Sequence, residues 1–180
     1  MIRRLVGALI AVCPCVLTAQ DVRPVTVEVA AGSGPHTERS GDTWFRDTHN
    51  GILRVGGAFR LPTVSNRFAA VARVDYNVPG MGDRLADCPP APNGTCRKYF
   101  PETDGFSLGA GVLTSVMPRA LLGVSFGFFR SAANRYVALS ASYEVAKHLA
   151  ALVEWRYIDL EYSDDGRVSY RPIQVGVRVY

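Results

Sequence analysis

The stretch that decides the fold lies in the last third of the chain. Residues 136–145 read Tyr-Val-Ala-Leu-Ser-Ala-Ser-Tyr-Glu-Val, residues 151–157 read Ala-Leu-Val-Glu-Trp-Arg-Tyr, and residues 173–180 read Ile-Gln-Val-Gly-Val-Arg-Val-Tyr. Apolar residues alternate with polar or small ones in each segment. Because successive side chains of a β-strand point to opposite faces, this period of two predicts strands. A length of about ten residues is also what a tilted strand needs to cross a bilayer.

The first twenty residues have the pattern of an export signal. Two arginines precede an apolar run over residues 5–12, and the small residue Ala19 lies near the end of the pattern. Such a pattern is typical of a secretory signal peptide, and the run is too short for a membrane-spanning helix. We therefore expect residues 1–20 to be a signal peptide and residues 21–180 to form one exported domain.

Eight strands can be placed by the same periodicity. The predicted strands cover residues 22–31, 51–61, 67–77, 105–116, 122–128, 136–145, 151–157 and 173–180. Long polar stretches, residues 32–50 and 78–104, follow the first and third strands, and short connections follow the second, fourth and sixth. Outer-membrane barrels alternate short periplasmic turns with longer external loops. The sequence therefore predicts an all-β fold, an eight-stranded antiparallel up-and-down transmembrane β-barrel.

The composition of the polar face bears on whether the barrel is soluble. A soluble barrel of the lipocalin type also alternates, but its apolar face points inward. Here the polar face of the fourth to sixth strands is largely glycine and serine, which suit the crowded interior of a narrow membrane barrel. The larger polar residues are then predicted to form a luminal cluster of Glu28, Arg54, Arg60, Arg73, Asp75, Glu144, Glu154 and Arg156. The predicted aromatic residues of the membrane interface are Tyr76, Phe106, Phe128, Tyr143, Trp155, Tyr157 and Tyr170.

Two local features lead to further expectations. Cys88 and Cys96 flank a proline-rich turn, and an exported chain meets an oxidising compartment, so we expect a disulfide that contributes about 2 kcal/mol. Pro172 lacks the backbone N–H that a strand ladder needs, and the apolar phase differs on its two sides. A β-bulge is therefore predicted at Pro172.

These segments resemble the small outer-membrane β-barrel family, the OmpA-like and OmpW-like eight-stranded proteins. The resemblance is sharpest over residues 149–180, and it implies lipid-bilayer embedding and insertion by the barrel-assembly machinery through the C-terminal strand. The terminal aromatic residue departs from the family pattern, because Tyr180 shares the phase of Arg178 and Gly176 rather than that of the valines.

The remaining residues indicate no catalytic or ligand-binding site. We find no catalytic motif, and the three histidines lack metal-ligand spacing, so no enzyme activity, cofactor or metal is expected. The net charge is +4, and the basic residues form no cluster typical of nucleic-acid binding. We expect a monomer in the cell outer membrane with a structural or surface-interaction role for its external loops. The alternatives are a narrow channel for small solutes and a soluble periplasmic ligand-binding barrel.

Overall fold

The computed structural model describes residues 24–40, 43–61, 68–79, 105–129, 134–162 and 166–180. The predicted signal peptide and the predicted Cys88–Cys96 disulfide lie outside the described residues. Within these ranges the chain is almost entirely β-strand, with turns at residues 118–119 and 147–148. The strands are β1 (Val25–Ser40), β2 (Thr43–Arg60), β3 (Ala69–Pro79), β4 (Gly105–Met117), β5 (Ala120–Phe129), β6 (Arg135–Ala146), β7 (Leu149–Tyr162), β8 (Gly166–Tyr170) and β9 (Ile173–Val179).

The strands close into a barrel. Each strand from β1 to β7 pairs antiparallel with the next one along the chain, and β8 and β9 both pair with β7 on one side and β1 on the other. The segments β8 and β9 are therefore two parts of one barrel strand. The predicted eight-stranded antiparallel up-and-down barrel is confirmed.

The strand registers define the width of the barrel. A circuit of paired residues that starts at Val27 returns to β1 at Thr37, so the shear is ten residues. The circuit passes through Gly57, Val74, Leu108, Phe128, Arg135, Asp159 and Ser169. For eight strands this shear gives a strand tilt of about 40° and a backbone radius of roughly 8 Å. Such an interior is just wide enough to be filled by side chains.

The interruption between β8 and β9 is not the predicted bulge. The same register continues across it, because His36 pairs with Tyr170 and Ser33 with Ile173 on one side, with no residue inserted. Two prolines explain the break. Pro35 accepts a hydrogen bond from the backbone N–H of Arg171, and Pro172 accepts one from Arg156, but neither proline has an N–H to donate in return.

At one end of the barrel, here called the upper end, some strands extend beyond the others. The upper extension consists of residues 33–40 of β1, 43–51 of β2, 158–162 of β7 and all of β8. The prediction of a long loop over residues 32–50 is therefore wrong, since strands occupy all but residues 41–42 of that range. These residues lack an apolar face because both sides of the extension lie beyond the apolar belt, so the period-two signal disappears although the ladder continues.

At the opposite, lower end the structure describes two tight turns. Pro118 and Arg119 connect β4 to β5, and Lys147 and His148 connect β6 to β7. Arg119 and His148 have positive φ angles of 71° and 68°, and a register shift precedes each turn. The short connections predicted after the fourth and sixth strands are confirmed at these two positions.

Candidate functional site: the barrel interior and the outward surface

The outward surface of the barrel is an uncharged apolar belt. The outward-phase residues of this belt are apolar apart from Thr114 and Gly57. The belt covers residues 25–31, 53–61, 68–78, 106–116, 120–128, 137–145, 149–157 and 173–179. The exposed large apolar residues of the belt have between 37% and 65% of their surface accessible. Water-soluble proteins rarely expose so extended an apolar surface, whereas a barrel that spans a bilayer requires one.

The interior holds a buried ion-pair network of three carboxylates and four arginines among the described residues. Glu28 accepts from Arg54 at 2.8 Å, from Arg73 at 2.9 Å and from Arg178 at 2.7 Å. All of these side chains are at most 4% exposed. An apolar exterior around a charged interior is the reverse of a soluble ligand-binding barrel, so that alternative is not supported.

The other two carboxylates extend the network across the barrel. Asp75 on β3 contacts Arg54 at 2.9 Å and Arg156 at 2.7 Å. Glu154 on β7 contacts Arg73 on β3 at 3.0 Å and also pairs with Arg156. Because β3 and β7 stand four strands apart in an eight-stranded barrel, the Arg73–Glu154 pair crosses the interior from one side to the other.

Apolar side chains cover the ion-pair network at both ends. The upper layer consists of Ile52, Phe129, Tyr136, Ala138, Ile158, Leu160 and Tyr170. The lower layer consists of Ala58, Ala69, Val71, Leu113 and Leu121. Every member is at most 6% exposed. Because little water reaches charges between two such layers, the network depends on its internal partners for compensation.

Glycines on β4 and β5 make room for one large side chain. A Cβ atom at Gly109 would lie 2.3 Å from the Tyr136 hydroxyl, and one at Gly127 would lie 2.6 Å from the Tyr136 ring. The tyrosine ring therefore lies over the glycine surface, and the Arg156 guanidinium stacks 4.6 Å from its centroid. Tyr136 thus occupies the space that the glycines leave at this level of the described interior.

Six of the eight residues predicted for the luminal cluster lie in the network. They are Glu28, Arg54, Arg73, Asp75, Glu154 and Arg156. Arg60 and Glu144 lie in the inward phase near the lower end and are only partly buried. The prediction did not include Arg178, which binds Glu28 and the Ser142 hydroxyl. The sequence pattern could have identified Arg178, because it shares the inward phase of Gln174 and Gly176 on the last strand.

Most of the predicted interface aromatics point outward. Tyr76, Phe106, Phe128 and Trp155 lie toward the upper end of the belt and Tyr143 toward the lower end, all exposed, whereas Tyr157 is half-buried. Tyr76 and Phe106 pack edge to face with centroids 5.0 Å apart.

Tyr170 was placed wrongly among these aromatics. It is 4% exposed and belongs to the upper interior layer, because the inward phase of even-numbered residues continues through Pro172 to Gln174. The prediction omitted Phe59 and Phe68, which are outward, exposed and near the lower strand ends.

A smaller polar cluster lies on the outward face above the belt, at the junction of β6, β7 and β8. Arg167 donates two hydrogen bonds to Asp159, the Nε bond at 2.8 Å, and Arg135 lies 3.6 Å from the same carboxylate. The hydrogen bonds from Arg167 are the main reason that the pKa of Asp159 is lowered, and the charges of both arginines add to this effect against the opposing effect of burial. Asp159 is therefore ionised at neutral pH and orients both guanidinium groups.

Two features common in other proteins are not found in the part of the chain that the structure describes. No group of three or more metal-binding side chains gathers there. Within the same residues, no helix is long and apolar enough to cross a membrane.

The fold has similar solved structures. The chain aligns with Neisserial surface protein A at 14% identity and a TM-score of 0.46, over 87% of this chain and 97% of that one. It aligns with Ail, the attachment invasion locus protein of Yersinia pestis, at 11% identity and a TM-score of 0.43, over 87% and 99%. A de novo designed transmembrane β-barrel aligns at 15% identity and a TM-score of 0.44, over 88% and 97%.

No protein-family model and no curated protein matches the chain. The assignment of a closed membrane-type barrel rests on the strand order, the registers and the outward apolar belt. The narrower likeness to OmpA-like or OmpW-like proteins remains a prediction.

Proposed function

We propose that this protein is a non-conducting outer-membrane β-barrel whose upper extension mediates a structural or surface-interaction role. The observation that carries the proposal is the combination of an uncharged outward belt with an ion-pair network enclosed between two apolar layers. The belt suits a bilayer. The filled interior leaves the surface beyond the membrane as the part of the molecule that meets other molecules.

The interior argues against the channel alternative. A permeating solute would have to displace the apolar layer at each end and the Arg73–Glu154 pair that crosses the barrel. Breaking a buried ion pair costs about 3–5 kcal/mol, because it leaves a charge without a partner in a poorly solvated place. We therefore expect purified protein in planar bilayers to show no discrete conductance steps in molar salt. Steady single-channel steps that persist after repurification would overturn the non-conducting assignment.

Membrane embedding has a separate test. Protein from a membrane fraction, solubilised in mild detergent, is expected to migrate differently on SDS gels before and after boiling, because a closed barrel resists SDS at room temperature. Recovery in the soluble periplasmic fraction with no shift on boiling would contradict an integral barrel.

The upper extension supports the surface-interaction role. It adds about eight residues to β1, which at a tilt of about 40° projects roughly 20 Å beyond the belt. The lower end, in contrast, has two-residue turns where the structure describes it. A projecting sheet on one side and short turns on the other fit a protein that acts on the outer face of the outer membrane.

Labelling of single cysteines tests this orientation. In a background with Cys88 and Cys96 replaced by serine, Ser40→Cys at the tip of the extension is expected to react with a membrane-impermeant maleimide on intact cells. Lys147→Cys in a lower turn is the matched control and is expected to react only after the cells are opened. The opposite labelling pattern would place the extension in the periplasm and would overturn the surface role.

Several finer features belong to the same proposal. Residues 1–20 would be a cleaved signal peptide, Cys88 and Cys96 a disulfide, and the C-terminal strand the segment that the barrel-assembly machinery recognises. We also propose a monomer without cofactor, enzymatic activity or nucleic-acid partner. Its support is the single closed sheet, in which the first and last strands pair with each other within one chain.

A further inference from the structure

Outward-pointing charges gather above the belt on β6, on β7 and beside β8 in the part of the strands whose side chains the structure describes. Among outward-phase strand residues whose side chains the structure describes, the charged ones are Arg135, Asp159, Glu161, Arg167 and Arg171. All five lie on β6, on β7 or next to β8, directly above the apolar belt. Over the rest of the belt the outward phase is free of charge in the described residues.

The three arginines of this sector, here called the rim arginines, remain accessible although they are held in place. The Arg135 side chain is 61% exposed and the Arg167 side chain 51% exposed, while Asp159 between them is 6% exposed. The Arg171 guanidinium stacks 5.6 Å from the centroid of the Tyr157 ring. Each guanidinium is thus anchored by one partner and keeps other N–H groups directed to the surroundings.

The position of the rim arginines just above the belt indicates which ligand they could bind. Arg171 is two residues from Ile173 and Arg135 is two residues from Val137, and both Ile173 and Val137 belong to the belt. Tyr157, which contacts Arg171, pairs with Val137. Groups at this height meet the headgroups of the adjacent leaflet, and arginine binds phosphate through paired N–H donors. Two carboxylates lie near this site. Asp159 is buried and its charge is balanced by its ion pairs with Arg167 and Arg135. Glu161, opposite Arg167 on the neighbouring strand, is exposed and opposes anion binding.

We propose that the rim arginines form a binding site for the phosphate group of a membrane lipid in the leaflet at the upper end of the barrel. The site would hold the headgroup between Arg135 and Arg171, while the acyl chains lie along Val137, Trp155 and Ile173. Arg167 acts mainly as the residue that fixes Asp159 and, through it, the position of Arg135.

Native mass spectrometry of the detergent-solubilised full chain tests the site. The probe is dioleoyl phosphatidic acid, compared with dioleoyl phosphatidylcholine, whose phosphate is shielded by choline. We expect preferential retention of phosphatidic acid. Since a basic residue near a charged lipid surface contributes about 1 kcal/mol, Arg135→Gln and Arg171→Gln should each weaken retention about fivefold. Glu161→Gln should strengthen it, because it removes the opposing carboxylate.

Lys147→Gln is the matched control, since it removes an exposed cation at the lower end. It should leave retention unchanged, and every variant should keep the shift on boiling that reports a folded barrel. Equal retention of the two lipids, or an equal loss in Lys147→Gln, would overturn the proposal. Binding of inorganic phosphate alone at the same concentration as phosphatidic acid would also overturn it, because the ligand would then be a free anion rather than a lipid.

Discussion

Replacing the buried Glu28 by glutamine should destabilise the barrel strongly although the side chain keeps its shape. Its carboxylate accepts from Arg54, Arg73 and Arg178 at 2.7–2.9 Å and is 1% exposed. Glu28→Gln keeps the side-chain volume but leaves four buried guanidinium groups with two carboxylates among the described residues. Because removing one partner of a buried ion pair costs about 3–5 kcal/mol, we expect a destabilisation of that size.

The assay is unfolding by guanidinium chloride in detergent micelles, followed by tryptophan fluorescence. Glu161→Gln is the control, because it makes the same chemical change at an exposed site and should alter stability by less than about 0.5 kcal/mol. Arg178→Gln should also destabilise, and the double variant should lose less than the sum of the single variants by about 1 kcal/mol or more, since the two residues are in contact. A loss in Glu28→Gln as small as that in Glu161→Gln would refute the view that the interior network depends on this carboxylate.

Three further outcomes are expected. Gly109→Ala should destabilise by about 1–3 kcal/mol in the same unfolding assay, because its Cβ would lie 2.3 Å from the Tyr136 hydroxyl and 2.6 Å from a backbone oxygen. Val175→Arg, in the middle of the belt, should cost about 2–4 kcal/mol when unfolding is measured in lipid vesicles. The pKa of Asp159 is lowered in the folded state, so its stabilising effect is present above its unfolded pKa of about 3.9 and is lost as pH falls through the folded pKa. The thermal transition of the SDS-resistant band should therefore differ between wild type and Asp159→Asn at neutral pH, and the difference should disappear only as the pH falls from about 3.9 through the lower folded pKa.

Each of these outcomes has a matched control. Gly57→Ala should cost less than Gly109→Ala, because its Cβ would lie 3.3 Å from the nearest atom, the Thr26 carbonyl oxygen, and only a small shift would relieve that contact. Thr37→Arg, above the belt, should change stability by less than about 0.5 kcal/mol. A Gly109→Ala loss no greater than that of Gly57→Ala would show that Tyr136 moves freely. Equal effects of Val175→Arg and Thr37→Arg would contradict the lipid-facing assignment. A difference that keeps its neutral-pH size after the pH has fallen through the folded pKa of Asp159 would contradict a role for its ionisation.

The sequence was sufficient for those parts of the fold that lie within the apolar belt. There the period of two follows from the geometry of the strand, because one face meets an apolar surrounding and the other does not. The fourth, fifth and sixth predicted strands agree with β4, β5 and β6 within about two residues at each end. Outside the belt the same reasoning failed, since residues 33–40 form a strand with no apolar face to reveal it.

The interior could be predicted only in part. The alternation alone predicted that six large polar residues of the inward phase point into the barrel, because the opposite face is apolar. They are Glu28, Arg54, Arg73, Asp75, Glu154 and Arg156. Which of them pair with one another depends on the shear of ten residues, which brings Arg73 on β3 to Glu154 on β7, 81 positions later in the chain. No local pattern encodes a contact at that separation.

Tyr170 shows the limit most clearly. Its aromatic character and position near a strand end favoured the membrane interface, but the registers on both sides of Pro172 are continuous and place it inside. By itself the sequence determined the strands within the apolar belt, which of their residues share a face and that the chain is suited to a barrel. The tertiary structure decided how the charges pair and which side chains occupy the described interior. These depend on closure of the sheet, because closure alone brings the first and last strands together and fixes the width that the side chains have to fill.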